Sequence, residues 1–209
     1  AGSVTIGANG TLTAGSSTIT VSGNWDSSAG TFTVGTSTVS IQATASIAAA
    51  TTSSFYNLTI TTGTSTPSTN IDVDNTFTIS GGIYAKGTTT LNVDAGLTLS
   101  GGAITSTSGA VTITGAVNIS SVSSYIDLGS EAWTISGTWT NATTSASWEA
   151  GTGTVTFDSA TGGTMTFAGT NLSEDEFNNA TFNSTAAITY TMATRGLRLG
   201  GALSITDTA

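Results

Sequence analysis

With neither histidine nor cysteine among its 209 residues, the chain lacks the commonest proton shuttle, the thiol nucleophile and the imidazole metal ligand. Chemistry is left to carboxylates, hydroxyls, Lys86, Arg195 and Arg198. The best candidate cluster of carboxylates is Asp72, Asp74 and Asp94, spaced so that Asp74 and Asp94 fall at equivalent corners of successive repeats. Two like charges at that separation repel unless water screens them or a cation bridges them, and an all-oxygen ligand set suits calcium. The same residues also read as solvated corners that end strands, since aspartate favours turns. Glu174-Asp175-Glu176 is the densest charge and reads as an exposed, solubilising loop, with a calcium or partner contact as its alternative. No calcium-loop spacing is present, so we expect no cofactor and no catalysis.

Three further residue types are candidates for contact. Trp25, Trp133, Trp139 and Trp148 offer flat faces for stacking on sugars, but the first three fall in apolar columns, leaving Trp148 as the candidate ligand contact. Seven asparagines begin an Asn-x-Ser/Thr sequon: Asn9, Asn57, Asn118, Asn141, Asn171, Asn179 and Asn183. Each is a glycosylation candidate if the chain is exported by a cell that glycosylates. Thr-x-Thr pairs recur at Thr11/Thr13, Thr18/Thr20, Thr31/Thr33, Thr36/Thr38, Thr112/Thr114, Thr138/Thr140, Thr152/Thr154 and Thr164/Thr166; flat ladders of this kind bind ice in solenoids. Read against the triplets below, these pairs do not keep one column, so ice binding is a minor reading.

The elements that would position these residues are short strands. An apolar-x-apolar triplet recurs with a second triplet six positions on: Ile71-Val73 then Phe77-Ile79, Leu91-Val93 then Leu97-Leu99, Val111-Ile113 then Val117-Ile119, Leu197-Leu199 then Leu203-Ile205. Alternation points both apolar residues of a triplet to one side, and three residues suffice for a corner. Taking the first triplet of each turn, the anchors run Val4, Ile19, Val39, Leu58, Ile71, Leu91, Val111, Trp133, Val155, Ala180 and Leu197. No helical spacing intervenes, which disfavours helical and leucine-rich repeats. The pattern predicts an all-β, single-stranded parallel β-helix (β-solenoid) with about 20 residues per turn and roughly ten turns. A third, less regular face would stack Ile83, Ile104 and Ile126, with Tyr84 and Tyr125 nearby.

A longer repeat overlies the short one: STITVSGNW, GTSTVSI and FYNLTI return as SEAWTISGTW, GTGTVTF and FNNATF, matching Trp25 to Trp139 and Phe55 to Phe177. Residues 1–209 thus read as one continuous solenoid, a little under two copies of a larger module at about 1–115 and 116–209, with an insertion around 160–178. Serine and threonine make 76 residues, and β-branched threonine favours strand over disorder.

Charge bounds the partners. Three basic residues and a net charge of −9 exclude the clustered Lys and Arg that nucleic acid requires, and disfavour anionic membrane surfaces. The chain contains no run of eighteen apolar residues, the length a membrane-inserted helix needs. The chain opens in strand pattern without methionine and stops shortly after Leu203-Ile205, with no polar cap over either apolar cross-section. This reads either as an excerpt of a longer protein or as a rod whose ends, through Val4, Ile6, Leu197, Leu199, Leu203 and Ile205, dock on other copies.

The phrases STITVSGNW, AGTFTVGTSTVSI, FYNLTI and NTFTISGG resemble the repeats of large secreted bacterial and archaeal surface proteins of the parallel β-helix adhesin type, akin to filamentous haemagglutinin and autotransporter stalks. The resemblance spans nearly the whole chain and carries over no functional residue. It implies an extracellular or cell-surface role, fibrous or adhesive. The expected function is a structural subunit forming a head-to-tail homopolymer. Its alternative is a monomeric stalk or binding segment of an adhesin, with surface glycans as partners.

Overall fold

The computed structural model describes residues 2–50, 54–143, 147–168, 176–184, 187–193 and 196–207. Their strands are short and pair in parallel with strands about 20 residues away, so the chain is an all-β solenoid of about nine windings. No helix occurs among these residues, and none is therefore long and apolar enough to cross a membrane. At one inter-strand spacing per winding the stack is roughly 40 Å long.

Each winding passes three faces in turn. Face 1 runs from Val4–Thr5 through Trp25–Asp26, Ala45–Ala48, Thr64–Pro67, Ile83–Gly87, Ala103–Ser106 and Tyr125–Asp127 to Ser147–Glu149, and the Glu176–Phe177 and Arg198–Leu199 pair carries it on. Face 2 holds Thr11–Thr13 and Thr31–Thr33, then, past an isolated Phe55–Val73 bridge, seven strands from Ile71–Val73 to Leu203–Asp207. Face 3 is an unbroken nine-strand ladder from Thr18–Val21 to Tyr190–Ala193.

Side-chain alternation fills the interior. On face 2, Ile71, Leu91, Val111, Trp133, Val155 and Ala180 stack in one column, and Val73, Val93, Ile113, Ile135 and Phe157 in the next. All are buried, as are Trp25, Trp133 and Trp139 at 0% exposure. The column prediction therefore holds where the triplets are most regular.

Register departs from the sequence reading in four places. Ile19, Val39 and Leu58 stack beneath Phe77 on face 3, so these anchors belong to second triplets. Leu203-Ile205 pairs with Ala180-Phe182 on face 2, whereas Leu197-Leu199 lies beside face 1, so that pair of triplets is displaced by one face. On face 1 it is Tyr84 that joins Ile104 and Ile126, while Ile83 faces outward at 39% exposure. Within the expected insertion, Gly163–Phe167 is a regular rung of face 3. Alternation alone gives no face label, because every face makes the same in-out-in demand.

The longer repeat shows the same indifference. Ile19-Val21 lies on face 3 and its match Trp133-Ile135 on face 2; Trp25 lies on face 1 and Trp139 on face 3. Matching phrases sit one face apart.

Candidate functional site

The strongest buried chemistry centres on Lys86. Residues 83–85 pair in register with 103–105, but the partner of Ser106 is Gly87, so Lys86 is an extra, bulged residue. Strand alternation carries its side chain inward beside Tyr84, two residues earlier, and it is 0% exposed. Lys86 Nζ donates to the carbonyl oxygens of Thr89 (2.7 Å), Ser108 (2.7 Å) and Gly109 (2.8 Å), and lies 3.5 Å from Glu131 Oε1. The Ser106 hydroxyl donates to the same Oε1. Glu131 Oε2 is buried with no hydrogen-bond partner. Burial pulls the Lys86 ammonium below its ordinary value, and the Glu131 carboxylate opposes that pull. Composition gave no sign of this cluster, since a lone lysine reads as surface. The one available signal was Lys86 two residues after an inward aromatic.

The apolar end of the stack is the second feature. In the last described winding Leu203 and Ile205 cap the two face 2 columns and are 52% and 77% exposed. Beside them lies a cavity of about 400 Å³ lined by Phe182, Ile188, Tyr190, Met192 and Leu197 among others. Leu197 and Leu199 are half-buried. At the opposite end Val4 is half-buried, whereas Ile6 is only 6% exposed because residues 26–30 fold over it. Ile6 is thus removed from the expected end surface.

Face 3 carries the third. Thr20, Ser40, Thr59, Thr78, Thr98, Asn118, Thr140 and Thr166 form one outward column through eight consecutive windings. Two residues earlier lie Thr18, Thr38, Asn57, Thr76 and Thr164, a second column interrupted by Gly96 and Ala116. No strand of this face contains a charged residue. The expectation that Thr-x-Thr pairs keep no common column fails for three of them: once Ile19 moves to face 3, Thr18/Thr20 joins Thr138/Thr140 and Thr164/Thr166, whereas Thr11/Thr13 and Thr31/Thr33 lie on face 2.

The acidic corner resolves differently from its calcium reading. Asn92 Nδ2 donates to Asp72 Oδ1 (2.6 Å) and Asp94 Oδ1 (3.1 Å), so an amide stands between the carboxylates. Among the described residues no group of three His, Cys, Asp or Glu is placed to hold a metal ion. Glu176 pairs with Arg198 at 3.7 Å in place of standing free in a loop. Of the sequons, Asn9 and Asn118 are exposed, while Asn57, Asn179 and Asn183 are half-buried. Asn141 is 0% exposed in an inward column, accepting hydrogen bonds from the Thr143 amide and hydroxyl, and has no room for a glycan. Asn171, Glu174 and Asp175 lie outside the described residues, as does the side chain of Trp148. Compared with protein-family models, with curated proteins and with solved structures, the chain matches none.

Proposed function

We propose that the protein is an extracellular structural element that stacks end to end with copies of itself. The observation that carries this reading is the exposure of Leu203 and Ile205 on top of otherwise buried columns. An apolar cross-section is covered by a further winding, and where a second copy supplies it the parallel ladders, having a direction, continue only head to tail. Val4, Leu12 and Ile19 at the opposite end supply half-buried apolar side chains of matching kind. Completing the burial of Leu203 and Ile205, 52% and 77% exposed, contributes roughly 1–2 kcal/mol each. Replacing both with glutamate therefore raises the dissociation constant at least about thirtyfold.

Light scattering and negative-stain microscopy over a concentration series test the proposal. Rods that lengthen with concentration, and stop lengthening in the Leu203→Glu/Ile205→Glu variant, support it. Rods of one fixed length at every concentration would point to the stalk or binding segment of a larger adhesin.

A second reading is favoured by the face 3 column alone. Its hydroxyls and methyls repeat at about 4.8 Å along the rod and about 6.6 Å along each strand. Strand preference enriches threonine on any sheet surface, but it does not make the array free of charge through nine strands. The ligand suited to such an array is the surface of ice. Thermal hysteresis that vanishes in Thr78→Tyr/Thr98→Tyr supports this reading, and freezing indistinguishable from a protein-free control sinks it.

A further inference from the structure

We propose that Lys86 and Glu131 condense spontaneously into a side-chain amide that staples the rod along its axis. The pair has the parts such a reaction needs. Nζ stands 3.5 Å from Oε1, an atom bonded to the carbon it would attack, and both side chains are sealed from solvent at 0% and 1% exposure. The Thr89, Ser108 and Gly109 carbonyls fix the position of Nζ, so the approach requires little further ordering. The carboxylate oxygens are unequal: Oε1 receives the Ser106 hydroxyl, whereas Oε2 has no partner. Oε1 is thus the oxygen whose developing negative charge is stabilised, and Oε2 the one that departs.

The step balances without a co-reactant. One proton passes from the ammonium to the carboxylate, giving amine and acid. The amine lone pair then forms the N–C bond at Cδ, the bond from Cδ to the protonated Oε2 breaks, and a second nitrogen proton leaves with that oxygen as water. The product keeps one N–H for one of the three carbonyls, and Oε1 becomes the amide oxygen held by Ser106. In water the separated ions are favoured by hydration, but a dry interior withdraws that advantage, and a neutral amide removes two buried charges together with the unpaired oxygen. The bond would join windings that are not neighbours, since Ser106 belongs to the winding between them.

The whole chain, unfolded before measurement, answers the question by mass. The expected result is an intact mass lower than the sequence mass by one water, with tandem spectra placing Lys86 and Glu131 in one branched fragment. An acylated lysine is no trypsin substrate, so the unfolded chain should be cut near Arg195 and Arg198 and not after Lys86. Lys86→Arg should return the full sequence mass and restore cleavage at position 86. Full mass with cleavage after Lys86 in the parent chain overturns the proposal, as does a lost water that maps to any other residue.

Discussion

Lys86 shows how one residue escapes the rule that its neighbours obey. Alternation from Tyr84 places it in the interior, and three backbone carbonyls with one carboxylate compensate the charge it brings. Removing one partner of such a pair leaves the other buried alone, at a cost of about 3–5 kcal/mol. With the pair ionic, Lys86→Met should therefore lower stability by that amount in urea unfolding and Lys86→Met/Glu131→Leu should recover most of it, whereas with the amide formed the double variant stays below the parent. The tyrosines make a second prediction at this scale. Burial, then the Glu149 carboxylate and Asp127, raise Tyr125 from 10 to about 12, and burial raises Tyr84 and Tyr190 as well. In the unfolded chain these phenols ionise near pH 10, so above that pH the folded state binds more protons and stability falls. Their contribution is complete below pH 10 and, for Tyr125, is lost by about pH 12. A free Lys86 amine would tilt stability the other way between its lowered value and 10.5, a term that the amide removes. With no histidine, thermal midpoints should be flat between pH 6 and 8 and decline above about 10.

The corners set the limits at the scale of the strand. Gly35 has φ +57°, and a Cβ there would sit 2.2 Å from the Gly15 carbonyl oxygen of the winding beneath, the oxygen that accepts from the Thr36 amide. Gly35→Ala therefore meets backbone strain and a rigid clash together and should cost more than about 1 kcal/mol. Gly7→Ala, where nothing lies within 4 Å, is the matched control and should shift the thermal midpoint little. Strands themselves are interchangeable. The phrases around Ile19 and Trp133 serve different faces because each asks only for two inward apolar residues and one outward polar one. Packing then distinguishes them: Phe177 meets Trp139 at 5.2 Å and Phe157 at 5.9 Å, both edge-on, in the widest aromatic cluster of the described core. Phe177→Ala opens a cavity there and should destabilise by about 3–5 kcal/mol.

For the whole molecule, three faces differ in what they offer although they share a pattern. Face 1 holds the bulge and the buried ion pair, face 2 ends in exposed Leu203 and Ile205, and face 3 presents an uncharged hydroxyl column. Axial association and surface recognition are therefore separable by mutation. Leu203→Glu/Ile205→Glu should abolish lengthening and leave far-ultraviolet circular dichroism unchanged. Thr78→Tyr/Thr98→Tyr should leave lengthening intact.

The sequence alone determined the architecture, because the six-residue offset between triplets and the repeat near twenty residues admit little besides a parallel coil. It also placed Trp25, Trp133 and Trp139 inside, since alternation fixes in against out. What it did not determine was which face each triplet serves. Thr18/Thr20 and Thr138/Thr140 therefore looked unrelated until stacking set them in one ladder, and Ile83 was taken for the inward residue that Tyr84 is. Only the tertiary structure brought Lys86 to Glu131. Alternation from Tyr84 carries Lys86 inward, but contacts between residues 45 positions apart depend on register summed over every intervening corner.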